Sequence, residues 1–168
     1  MTAPTDHRSA IDAFAEASAL WLVGDSPPAF LIDAAVDAVV AGLDAPALHE
    51  LAGLSDSDEA WELRAALERA LGDLGVPVPD PAPETRPMAM RALSGLLLRD
   101  RISVRELVDW SRGVIDDADA GEARRFLEIG DDLDAGRITP HEAQLAAIDE
   151  SARYLHVTAA PEARDPRP

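Results

Sequence analysis

Cysteine is absent from this 168-residue chain, which removes disulfides, thiolate metal sites and a cysteine nucleophile together. Lysine and asparagine are absent too, so all 15 basic residues are arginine; this is read as the codon bias of a GC-rich bacterial genome. Aromatic side chains make up only 4%, so a core has to be assembled from Ala, Leu, Val and Ile. Such residues let helix axes approach closely. Long apolar runs are missing as well. The longest, Ala34 to Leu43, is interrupted by Asp37 and falls far short of the ~20 residues that cross a bilayer. No basic start followed by an apolar stretch of signal length opens the chain. The expected location is the cytoplasm, with no membrane partner.

What the chain has in excess is negative charge. The net charge is −17, and it is uneven. Residues 1–86 carry 16 acids against 4 arginines, and residues 87–168 carry 16 against 11. Such a field repels nucleic acid and anionic lipid and speeds encounter with basic proteins. Nucleic acid is therefore not an expected partner.

Apolar residues recur at helical spacing along most of the sequence, and no run of alternating β-branched residues appears. The fold class is all-α: a compact bundle of seven to eight short helices in two halves joined by a Pro-rich linker. The first half covers 1–75. Its helices are expected from Ser9 to Val23, over 28–43 with Ser26 as N-cap, from Pro46 to Leu51, and after Ser55 or Ser57 with Trp61, Ala65, Leu67, Leu71 and Leu74 facing in. The segment 28–43 is apolar nearly all round, which predicts a central buried helix whose one wet stripe holds Asp33 and Asp37. Residues 76–87 hold five prolines and are expected to be the linker. The second half covers 88–156. Its helices are expected at 88–99, after Ser103 with Leu107 and Trp110 inward, from Asp119 to Leu133 around Phe126 and Ile129, and after Thr139 with Leu145, Ile148, Ala152 and Leu155 inward. The tail, 157–168, is expected to be disordered. A loose internal repeat lays Leu31-Ile32-Asp33 over Leu107-Val108-Asp109 at a shift of 76, with Leu51 over Leu127.

A closer repeat lies within the second half. "RDRISVREL", 99–107, and "DAGRITPHEA", 134–143, share Arg-Ile-hydroxyl-x-x-Glu. Residues 131–142, "DDLDAGRITPHE", resemble an EF-hand calcium loop at Asp131, Gly136, Ile138 and Glu142. They depart from it where ligands are required, because Leu133 and Ala135 stand at loop positions three and five. The earlier copy has leucines throughout that part. What the two share is a capping box, Ser103 with Glu106 and Thr139 with Glu142, entered by an isoleucine at the staple position. Gly136, and less comfortably Asp100, would end the preceding helix in the left-handed conformation. No metal is expected, and Asp131 and Glu142 are its only weak candidates.

Neither His49-Glu50 nor His141-Glu142 is followed by the second histidine that a zinc protease helix requires, and no phosphate loop or nucleophile elbow is present. No catalytic residue and no cofactor are assigned, and an enzyme is not expected. Arg99, Arg101, Arg105 and Arg112 form the densest basic patch, but Asp100, Glu106 and Asp109 interleave it. The patch is read as an internal anchor for the acidic first half. Near the end of their helix, Asp131, Asp132 and Asp134 oppose the helix dipole. With Asp116 and Asp117 they are the expected contacts of an outside partner. In size, acidity, helicity and lack of cysteine the chain resembles small bacterial immunity or inhibitor proteins. That resemblance implies a protein-binding module for a basic partner. The alternatives are a self-associating scaffold or accessory subunit, and a weak divalent-cation binder using the degenerate loop.

Overall fold

In the computed structural model, residues 4–23, 26–80, 85–114 and 124–159 are described. They form eight helices and no strand. Two compact units divide the chain, Met1–Ala92 and Leu93–Pro168.

The first unit holds α1 (Pro4–Val23), α2 (Pro28–Val40), α3 (Pro46–Ala52) and α4 (Ala60–Asp73). Each packs on its neighbour in the chain. The contact is made by Phe14, Leu31, Ala35, Leu48, Leu51, Leu63, Leu67 and Leu71, all buried in one cluster. Proline opens both α2 and α3, where a missing N–H costs no helix bond. The residues before them, Pro27 and Ala45, are the N-caps and give no side-chain bond, so Ser26 does not cap α2. For α3 the cap comes from across the unit: Asp73 Oδ2 accepts the Ala47 amide proton at 3.2 Å.

Two expected faces turn out otherwise in this unit. Trp61 is 67% exposed, while α4 buries Leu63, Ala66, Leu67, Ala70 and Leu71. Those five recur at i, i+3, i+4, i+7 and i+8, and Trp61 lies two residues before the first of them, on the opposite side of the cylinder. Nor is α2 a central helix. It buries Leu31, Ala35 and Ala38 and leaves Val36 and Val40 in solvent. A broader buried face belongs to α5 (Arg86–Leu98), which crosses the boundary of the two units: Ala89, Met90, Ala92, Leu93, Ser94, Leu96 and Leu97 are buried, and Pro87 and Leu98 are exposed. Before it, residues 76–80 have no regular secondary structure.

In the second unit, α6 (Val104–Val114), α7 (Arg124–Asp134) and α8 (Pro140–Ala159) pack on one another. Phe126 of α7 meets Tyr154 of α8 edge to face, with ring centroids 6.2 Å apart. The first residues expected for α7, 119–123, lie outside the described residues, as does the tail beyond 159. The inward face of α8 also differs from expectation. Ala143, Ala147, Ser151 and Tyr154 are buried, whereas Leu145, Ile148 and Ala152 are exposed. Small residues recurring every three to four positions let α8 come close to its neighbours, and this outweighs the larger area that the leucine and isoleucine would bury. At the shift of 76 one pair of helix starts coincides, α2 at 28 and α6 at 104. Of the pairs expected at that interval, Leu31 and Leu107 are both buried, whereas Leu51 is buried and Leu127 half-buried, and Ile32 is half-buried and Val108 buried.

Candidate functional site

The two corners of the second unit are the same structure built twice. At the first, Arg101 N donates to Leu96 O at 2.9 Å and Asp100 N to Leu97 O at 3.0 Å. At the second, Arg137 N donates to Asp132 O at 2.8 Å and Gly136 N to Leu133 O at 3.1 Å. This bonding closes a helix whose next residue turns left-handed, and the φ values are 56° at Asp100 and 65° at Gly136.

Three residues later the capping boxes start. Glu106 Oε2 accepts from Ser103 N and from Ser103 Oγ, both at 2.8 Å, and Glu106 N donates back to Ser103 Oγ at 3.2 Å. Thr139 and Glu142 repeat all three distances. In each pair the backbone bond, followed by the hydroxyl bond, holds the glutamate below its ordinary pKa. Ile102 is buried at its staple position and Ile138 half-buried. Glu142 is therefore occupied as a cap, the role that Glu106 fills where no metal-ligating residues precede it. Among the described residues no group of three or more His, Asp or Glu is placed to hold a metal ion. Beside the first corner lies an open depression of about 300 Å³, lined by Asp100, Arg101, Ile102, Ser103, Glu106 and Gln144.

The acidic end of α7 has partners inside the unit. Arg112 Nη2 stands 3.1 Å from Asp131 Oδ1 and 3.2 Å from Asp134 Oδ2, and Arg105 Nη1 stands 2.6 Å from Asp134 Oδ1. Asp132 takes Arg137 at 2.7 Å. The two arginines, Arg105 first, hold Asp134 below its ordinary pKa, and Asp134 with Asp131 holds Arg112 above its own. These pairs offset the unfavourable placement of carboxylates at a helix C-terminus. The unfavourable position of these carboxylates is thus met within the unit, without an outside partner. The internal anchor is real for Arg105 and Arg112, but its acids are those of α7. Asp116 and Asp117 lie outside the described residues.

In the first unit charge is arranged differently. Arg64, Arg69 and Arg91 take Glu68, Glu50 and Glu16. Asp56, Glu59 and Glu62, close in sequence to the exposed Trp61, have no arginine partner among the described residues, and neither does Asp37 on α2. Sequence reasoning placed Trp61 in the core and the valines of α2 within a buried helix, so it passed over both surfaces. The five-residue stripe beginning at Leu63 was the available signal for Trp61. No family model, curated protein or solved structure matches the chain.

Proposed function

We propose that this chain is an acidic helical recognition module that binds a basic protein, as immunity and inhibitor proteins do. The observation that carries this reading is the contrast between the units. In the second, Arg105, Arg112 and Arg137 neutralise the acidic end of α7. In the first, residues 1–92 carry 16 acids against 5 arginines, and Asp56, Glu59 and Glu62 lie within five residues of an exposed tryptophan, Trp61. An aromatic anchor in an anionic rim suits arginine and lysine side chains, through ring faces and charge alike. Among the α7 residues, Asp131 and Asp134 are less available because each already serves Arg112.

The test uses the tagged chain as bait in a cell extract, washed with rising salt, beside a variant with Asp56, Glu59 and Glu62 changed to arginine. A basic protein held by the natural chain, released by salt and missed by the variant, is the expected result. Equal retention by both would overturn the assignment of this surface. A self-associating scaffold is the second reading, supported by Leu145 and Ile148, exposed on α8 together with Ala152. A solution mass above the monomer that persists at high salt would favour it.

A further inference from the structure

The most apolar helix of the chain is at the surface. A helix that is apolar nearly all round is normally covered all round. Leu31, Ala35 and Ala38 of α2 lie in the core of the first unit, and the opposite side carries Asp33, Val36, Asp37 and Val40. Steps of three and four residues put these four on one stripe. Val36 is 40% exposed and Val40 81%, so two β-branched apolar side chains one turn apart stand in water beside the exposed carboxylate of Asp37.

Within the second unit, the helix 76 residues further on shows how such a face can be met. Arg105 and Arg112, on the exposed side of α6, are paired with Asp134 and Asp131 of α7. The stripe on α2 presents the converse chemistry, valine and aspartate. A second copy of this chain is a poor occupant, because two such stripes laid together would bring like-charged aspartates into one desolvated contact. From this complementarity we infer that the outward stripe of α2 is the docking face for an amphipathic segment of another protein, with its apolar side chains on Val36 and Val40 and an arginine or lysine at Asp37. The inference rests on the reading of the chain as a binder of basic proteins and names a further surface for it, in addition to that of Trp61, with its own pattern.

The experiment measures binding of the full chain to two labelled synthetic peptides by fluorescence anisotropy. One peptide has leucines along one helical face flanked by arginines; the other has the same composition scrambled. Three variants accompany the natural chain: Val40→Gln, Val40→Asp and Asp37→Asn. At 81% exposure Val40 contributes little to folding, and thermal melts of each variant confirm that the fold is kept. The expected result is preference for the patterned peptide, with a loss of about tenfold for Val40→Gln, the scale set by one apolar side chain uncovered. Val40→Asp separates the two ideas, since the added charge would strengthen a purely electrostatic contact. It should weaken binding as much as the glutamine, while Asp37→Asn should weaken it and lower its salt dependence. Unchanged or tighter binding by Val40→Asp, or equal binding of the scrambled peptide, would overturn the docking face and leave the basic-partner reading standing. No binding of either peptide at low salt would overturn both. A dimer of the natural chain that Val40→Gln dissociates would show that a second copy covers the stripe.

Discussion

A methyl group added at Gly130 of α7 would stand 2.3 Å from Cγ1 of Val108 on α6. No real pair of carbons rests at that distance, so the side chain of Val108 packs directly on the bare backbone of α7. Replacing Gly130 by alanine should push them apart and cost ~1–3 kcal/mol, the usual range for overpacking, despite the higher helix propensity of alanine. A urea denaturation curve gives the value. Adding Val108→Ala should recover part of the loss, a positive coupling between contacting sites. An alanine variant as stable as the natural chain would mean that the contact is looser than described.

Asp100 and Gly136 do the same work with different backbones. Each ends its helix at a positive φ, 56° and 65°, where a side chain costs roughly 1–2 kcal/mol. Asp100→Gly relieves that strain, partly offset by the extra freedom that glycine gives the unfolded chain. A net gain of ~0.5–1 kcal/mol is expected. Gly136→Ala should do the reverse. Its new Cβ would meet nothing within 4 Å, so the loss would come from the backbone alone. Thermal melts of both variants check the pair of signs.

These corners were legible because their information is local. A left-handed stop, an isoleucine, a hydroxyl and a glutamate within seven residues dictate the bonds that form, whatever the surrounding fold. The all-helical class was legible for the same reason, through spacing. Which face of a helix turns inward was not, and α8 shows why. Leu145 and Ile148 offer more apolar area than Ala143 and Ala147, yet the alanines are buried, because close approach of neighbouring helices selects small residues that no periodicity within α8 can rank. The partners of Asp131 and Asp134 were hidden likewise, since Arg105 and Arg112 lie some 20 to 30 residues away in the chain. The electrostatic cost at the end of α7 is visible in the sequence, whereas the arginines that offset it are not.

Trp61 and Leu67 belong to one helix and sit on opposite sides of it. Trp61→Ala should change stability by less than ~0.5 kcal/mol, the scale of surface substitutions. Leu67→Ala should cost ~2–5 kcal/mol, because it empties a fully buried site. The ordering is the reverse of what side-chain size alone would give. Tryptophan fluorescence supplies a second check, since quenching by added acrylamide, which is uncharged, should fall when the exposed Trp61 is removed.

Acid stability should separate the corners from the rest of the chain. Glu106 and Glu142 are held below their ordinary pKa by the amide and hydroxyl of their caps, and Asp134 by Arg105 and Arg112. A carboxylate whose pKa is lower folded than unfolded binds fewer protons in the native state. Its contribution is therefore complete above the unfolded pKa, ~4.3 for glutamate and ~3.9 for aspartate. The contribution is lost as pH falls through the lower folded values. The urea midpoint should accordingly stay nearly level from about pH 7 to pH 5 and drop below that. In the Glu106→Gln, Glu142→Gln variant the second unit should start less stable at neutral pH and lose less on acidification, because glutamine keeps an accepting oxygen that does not titrate. Adding Asp134→Asn should flatten the acid limb further and, unlike the two cap changes, make the neutral-pH stability less sensitive to salt, since only the arginine pairs are screened. If the triple variant falls with acid as steeply as the natural chain, the acid limb belongs to other carboxylates and the caps hold through geometry rather than charge.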